Sequence, residues 1–166
     1  MYNYSTSKAY SIAILTIFFI YFFIKIVLFI KKFKSKSLLK KNRTLKKLKR
    51  LSWDDFELFC MELFETKGWK VKGNSKKGAD GGVDIWMTKS HFNNKTLAIV
   101  QCKRYEETRV TVKVAREMYG LMHEHEADQV FIVTTSHFTK ECYKFVEGKN
   151  IELIHGDKLI QMLNCV

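Results

Sequence analysis

Proline is absent from the chain, and no acidic residue occurs among its first fifty. Between Ala9 and Ile30 glycine is missing as well, so nothing in that stretch interrupts a helix. Cys60, Cys102, Cys142 and Cys165 are scattered, with no C-x-x-C pair and no histidine at a zinc-ligand spacing. They read as reduced, small apolar residues of a cytoplasmic domain. His123 and His125 stand two apart, cannot face one another on a helix, and pair into no metal motif. No G-K-[ST] follows the glycines, so no phosphate-cradling loop and no nucleotide cofactor is expected. No internal repeat is present.

What the chain does have is an uneven distribution of charge. It carries 29 Lys and Arg against 17 Asp and Glu over 166 residues. Residues 1–50 hold 13 of the basic ones, and residues 51–166 hold 16 basic and 17 acidic residues, a net of −1. The basic character therefore belongs to an N-terminal appendage, and the body is electrically balanced. An apolar share of 46% excludes a wholly disordered chain, and the length suits one domain with an addition.

Residues 9–30 contain one charge, Lys25, among Ile, Phe and Leu. A helix of that length rises roughly 33 Å, enough for a hydrocarbon layer of about 30 Å. Its apolar residues occur all round, unlike those of a one-sided surface helix. The stretch is too long for a signal peptide, and Phe29-Ile30-Lys31-Lys32 offers no small-residue cleavage site. The pattern predicts a short tail (1–8), a single transmembrane helix (9–30), a basic juxtamembrane linker (31–50) and a domain (51–166). The 11 Lys and Arg within 31–50 place the domain on the cytoplasmic side of the inner membrane. The basic stretch suits anionic lipid or nucleic-acid phosphate.

In the body, Ser52 and Asp55 form a capping-box-like start. Trp53, Phe56, Phe59, Cys60, Leu63 and Phe64 then repeat at helical spacing until Gly68. A short strand at 69–71 is expected next, followed by a loop with Gly73, Gly78, Gly81 and Gly82. Apolar runs at 83–88 and 97–103 read as a β-hairpin. A helix over 112–124, a buried strand at 129–135, a helix from Thr139 to 147, a strand at 151–154 and a helix at 157–163 complete the body. The order α-β-β-β-α-β-α-β-α predicts an α/β fold, a mixed sheet flanked by helices.

A two-residue turn at Asn93-Asn94 would set Asp84 opposite Lys103 and Trp86 opposite Gln101. Asp84, Gln101 and Lys103 then share one face, while Val83, Ile85, Met87, Ala98, Val100 and Cys102 form an apolar one. Taken singly, Asp84 reads as a turn residue, Gln101 as a surface amide and Lys103 as a solvated strand end. Together, a carboxylate, a carboxamide and an amine suit metal-assisted phosphodiester hydrolysis. The oxygens hold a hard cation, Mg²⁺ or Mn²⁺, and the ammonium orients water and offsets developing charge. A second carboxylate is wanted. Glu57, on the border of the first helix's apolar stripe, is the first candidate, with Glu62 and Asp80 as alternatives.

The run Gly78-Ala79-Asp80-Gly81-Gly82-Val83-Asp84-Ile85, followed by Val100-Gln101-Cys102-Lys103-Arg104, resembles the Mrr-like restriction endonuclease domain. That is a branch of the PD-(D/E)xK nucleases in which Gln replaces the usual acid. Phe56-Glu57 in a helix ending at Gly68-Trp69, Val133-Thr134-Thr135 with Phe138-Thr139, and Ile154-His155-Gly156-Asp157 with Leu159 resemble the rest of the domain. The resemblance covers about 51–163. It implies a restriction-endonuclease-like core, a divalent metal and DNA as substrate. Asp84 would ligate metal, Gln101 would take the second acid's place, Lys103 would be the catalytic amine and Glu57 a helix-borne acid. Type IV members of this kind cut modified DNA.

The expected function is thus a membrane-anchored DNA endonuclease that uses Mg²⁺ or Mn²⁺ and acts on modified or foreign DNA. The competing reading is an inactive nuclease-fold module that binds DNA or serves as a scaffold at the membrane. Expected partners are DNA, the lipid bilayer through residues 9–30, and a second copy of the chain. Arg104, Arg109, Lys113 and Arg116 are candidates for a phosphate-contacting rim.

Overall fold

The computed structural model describes residues 4–74, 82–91 and 94–165; within the first helix, side chains are described at Tyr10, at 12–28 and from Leu38 onward. Asp80 and the turn residue Asn93 lie outside the described residues. The chain divides into two units, Met1–Ser37 and Leu38–Val166.

The first unit is helical. Helix α1 (Tyr4–Lys41) begins in it and has no acidic residue in its first turn. Its large apolar side chains from Ile12 to Leu28 are all exposed, from 36% at Val27 to 72% at Phe19. The transmembrane helix expected over residues 9–30 is not found: among the described residues no helix is long and apolar enough to cross a membrane. The described run of side chains, 12–28, stops short of both ends of the expected span.

The second unit contains α2 (Leu45–Leu48), α3 (Trp53–Thr66), β1 (Lys70–Gly73), β2 (Ile85–His91) and β3 (Asn94–Lys103). It continues with α4 (Val112–Glu124), β4 (Gln129–Thr134), α5 (Lys140–Val146), β5 (Ile151–Ile154) and α6 (Gly156–Asn164). From α3 onward this is the expected order. The strands form one sheet in the order β1-β2-β3-β4-β5. β1/β2 and β2/β3 pair antiparallel, while β3/β4 and β4/β5 pair parallel. The mixed sheet follows from its connections: a short hairpin reverses the chain, whereas α4 and α5 carry it back to the same end.

Two apolar layers cover the sheet. On one face Phe56, Phe59, Cys60 and Leu63 of α3 and Leu159 and Leu163 of α6 pack on Ile85, Met87, Ala98, Val100 and Cys102. On the other, Ala115, Met118 and Leu121 of α4 and Cys142 of α5 pack on Ile99, Val130 and Ile132. Val83, expected with the first set, belongs to the second, because it lies ahead of the β2 ladder just after Gly82 at φ +112°. Trp53, expected in the stripe of α3, is half exposed and meets Tyr105 edge-on at 6.3 Å.

Helix α3 starts where its cap predicts, with the Asp55 N–H donating to Ser52 Oγ at 3.1 Å. It ends at Gly68, whose φ of +84° is the left-handed conformation that glycine adopts without strain. Residues 31–50, expected as a basic linker, are largely helical, through the end of α1 and through α2. Leu38, Leu39 and Leu48 bury themselves in the α3 core layer. Three leucines among many lysines give little hydropathy signal, yet each removes a full side chain from water.

Candidate active site

The hairpin register decides which side chains meet. Ile85 pairs with Val100 and Trp86 with Ile99, and His91 pairs with Asn94, leaving two residues between the last pair. The expected register, with Asp84 opposite Lys103 and Trp86 opposite Gln101, is therefore shifted by two. Asp84 lies beyond the ladder's end beside Gln101, its N–H donating to the Val100 carbonyl at 2.9 Å. A shift of two keeps every side chain on its face, whereas a shift of one would reverse them all. Gln101 and Lys103 alternate with the core residues Val100 and Cys102, so they project toward the α4 and α5 side with Ile99.

Asp84 is half-buried and its carboxylate is held from two directions. Oδ2 accepts from Gln101 Nε2 at 2.5 Å and from the Cys102 backbone N–H at 2.6 Å. The Asp84 carbonyl accepts from the Asn74 N–H at 2.9 Å, and Asn74 Nδ2 donates to the Val83 carbonyl at 2.9 Å. The segment that carries the acid is thus clipped to β1 before the ladder begins. Gln101 is only 4% exposed. A buried amide needs partners, and the bond from Nε2 to Asp84 fixes which end is the oxygen.

That oxygen points at Gly82. A Cβ built on Gly82 would come within 2.8 Å of Gln101 Oε1 and 3.3 Å of Glu117 Oε1. Glu117, on α4, thus brings a second carboxylate to the Asp84–Gln101 pair. Sequence reasoning missed it. It sits on an exposed helix position next to the buried stripe of Ala115, Met118 and Leu121, where a solvated charge is the ordinary occupant. Only the approach of α4 to the loop before β2 gives it a role. Asp84, Gln101 and Glu117 supply oxygen atoms alone, which fits a hard divalent cation, and glycine at 82 omits a Cβ that would crowd the Gln101 and Glu117 oxygens.

The other expected acids within the described residues are carried by α3. Glu57 belongs to α3, which covers the opposite face of the sheet. It is near enough to act on Cys102, whose thiol is held well above its ordinary range, first by a hydrogen bond with Cys60, then by burial, then by electrostatic repulsion from Cys60 and from the carboxylates of Asp84 and Glu57. Glu62 is buried on α3. Lys103 is half-buried at the end of β3, and its carbonyl accepts from Thr134 Oγ1 at 2.7 Å.

The four candidate phosphate contacts differ in what they already touch. Arg104 is occupied within the fold: it donates to the Lys49 carbonyl at 2.7 Å, pairs with Glu106 at 3.6 Å and lies over Trp53 at 5.7 Å. Arg116 lies over Phe145 at 5.8 Å, against α5. Arg109 and Lys113 are exposed, just before and at the start of α4.

Comparison with known proteins agrees with this architecture. Residues 48–163 match the Mrr catalytic-domain family, described as a restriction endonuclease. No curated protein matches the chain. Among solved structures, the DNA modification-dependent restriction endonuclease AspBHI is 17% identical with a TM-score of 0.60, over 80% of this chain and 35% of that one. The restriction endonuclease FokI is 15% identical with a TM-score of 0.48, over 73% of this chain and 27% of that one. The likeness to AspBHI shows the fold, and this chain spans about a third of that enzyme's length.

Proposed function

This chain belongs to the restriction endonuclease family of the Mrr catalytic domain, and from that membership we propose that it is a divalent-metal-dependent DNA endonuclease. The observation that carries the reading is the carboxylate of Asp84, fixed by Gln101 and the Cys102 N–H, with the Gln101 and Glu117 oxygens both close to Gly82. Asp84, the carboxamide oxygen of Gln101 and Glu117 would hold the cation. When bound, it supplies a water of lowered pKa and compensates phosphate charge. The protein's own part is positional: Gln101 keeps the Asp84 carboxylate aimed, and Lys103, on the same face, orients the attacking water and offsets charge on the phosphorane-like transition state.

The test is cleavage of methylated and unmethylated plasmid by the full chain with Mg²⁺ or Mn²⁺. Asp84→Ala and Lys103→Ala should each abolish it; undiminished cutting by either variant would overturn the assignment. A preference for modified DNA is the expected outcome of the paired substrates, by analogy with the modification-dependent AspBHI. A homodimer that brings one such site from each copy to the duplex would cut both strands in a single encounter. Linear product should therefore rise relative to nicked product with protein concentration; a constant ratio would argue against a homodimer.

The finer reading keeps a membrane tether. The exposed apolar side chains of 12–28 would be covered by lipid, with the basic residues of 31–50 on the cytoplasmic side. The full chain should then sediment with inner membranes until detergent is added, and recovery in the soluble fraction would refute it.

A second reading is a binding module without catalysis. It draws on the net charge of −1 over residues 51–166 and on the internal engagement of Arg104, since affinity for DNA depends heavily on phosphate neutralisation. Metal titration separates the two readings: Asp84-dependent uptake of Mn²⁺ favours the nuclease, and its absence favours the module.

A further inference from the structure

A second group of metal-ligating side chains stands at the C-terminal ends of β4 and β5. His137 follows β4, while His155 and Asp157 bracket the start of α6. One ligand atom from each lies within 4.8 Å of the others. The His137 and His155 rings stack at 5.8 Å with planes 28° apart, and His155 Nδ1 is 3.7 Å from Asp157 Oδ2. We propose that His137, His155 and Asp157 form a site for a transition-metal dication of the Zn²⁺ class, separate from the Asp84 cleft. The inference does not depend on the nuclease reading.

The choice of ligand follows from the donors. Two imidazoles alone could clamp a phosphate when protonated, but a carboxylate beside both opposes an anion and favours a cation. The ammonium of Lys158, next in the chain to Asp157, is engaged by Glu152 at 3.0 Å. Imidazole nitrogen selects Zn²⁺, Co²⁺ or Ni²⁺ over Mg²⁺, which the all-oxygen set around Asp84 suits instead. Around one Zn²⁺, ligand atoms sit about 3.3 Å apart. Closing from 4.8 Å takes side-chain rotation, which is open to His137 and Asp157 because both are exposed.

The backbones that carry the ligands are already fixed. The His137 carbonyl accepts from Val110 N–H at 2.9 Å, and Gly156 N–H donates to the Ser136 carbonyl at 3.0 Å, joining the two ligand-bearing segments. Thr135 Oγ1 donates to the Tyr105 carbonyl at 2.6 Å. His155 Nδ1 accepts only a long bond from Lys158 N–H, 3.5 Å, which a metal could displace at little cost. With three protein ligands the ion would retain an open position facing solvent.

The test uses the full chain carrying Cys165→Ser, which removes the exposed thiol as a competing ligand. Co²⁺ should produce a visible absorption band saturating at one equivalent, bleached by Zn²⁺. Zn²⁺ should shift the imidazole resonances of His137 and His155 but not those of His91, His123 and His125. His137→Ala should weaken binding at least tenfold and Asp157→Asn should do likewise, while Asp84→Ala should leave it unchanged. Binding that survives both His137→Ala and Asp157→Asn, binding lost only with Asp84→Ala, or no saturable uptake at millimolar metal would each overturn the proposal.

Discussion

The two faces of β3 solve opposite problems within a single strand. Toward α3, Ala98, Val100 and Cys102 meet an apolar layer, and shape alone has to match. Toward α4, Ile99 is followed by Gln101 and Lys103, and burying the amide requires a specific partner in Asp84. An apolar face tolerates changes that conserve volume. A polar one fails as soon as one member goes, because the remaining donors lose the exchange that made their burial neutral.

That difference can be broken most severely at Asp84. Asp84→Ala should reduce cleavage by at least about a thousandfold and also lower stability by roughly 2–4 kcal/mol, since Gln101 Nε2 and the Cys102 N–H are both orphaned. Steady-state cutting and urea melts measure the two effects. Gly82→Ala comes next. The φ of +112° strains any side chain, and the new methyl group meets Gln101 Oε1 at 2.8 Å. A loss of activity on the order of a hundredfold is expected, with far-UV dichroism unchanged.

A paired substitution then sharpens which face holds the metal. Glu117→Gln should weaken Mn²⁺ binding by about ten- to a hundredfold, whereas Glu57→Gln on the α3 side should change it by less than about threefold. The reverse ranking would return the second acid to Glu57. The smallest effect concerns the apolar face. The folded state raises the Cys102 pKa, so it favours the protonated thiol. Stability should be whole below the unfolded-state value of about 9.0 and fall above it, by up to about 1.4 kcal/mol per pH unit. Thermal melts with EDTA from pH 7 to 10 should show that slope, and it should flatten in Cys102→Ala.

The same contrast explains what could be read from the sequence. Alternation along 83–88 and 97–103 is a property of neighbouring residues, so the chemical face of Asp84, Gln101 and Lys103 was legible although the register was off by two. The turn residues carry too little preference to fix where the hairpin reverses. Helix bounds marked by Ser52 and Gly68 were legible because capping is local. Glu117, the His137–His155–Asp157 group and the buried Leu38, Leu39 and Leu48 were not, since each takes its role from a segment distant in the chain.

The clip at Asn74 has a consequence for how such a domain can diversify. Its N–H and side-chain amide bind the Asp84 and Val83 carbonyls directly, so the segment that carries the carboxylate is tied to the end of β1 by these two bonds. Changes in the length or sequence of residues 75–81 should then leave the carboxylate where it is, so a lineage can vary that stretch while its chemistry stays in place.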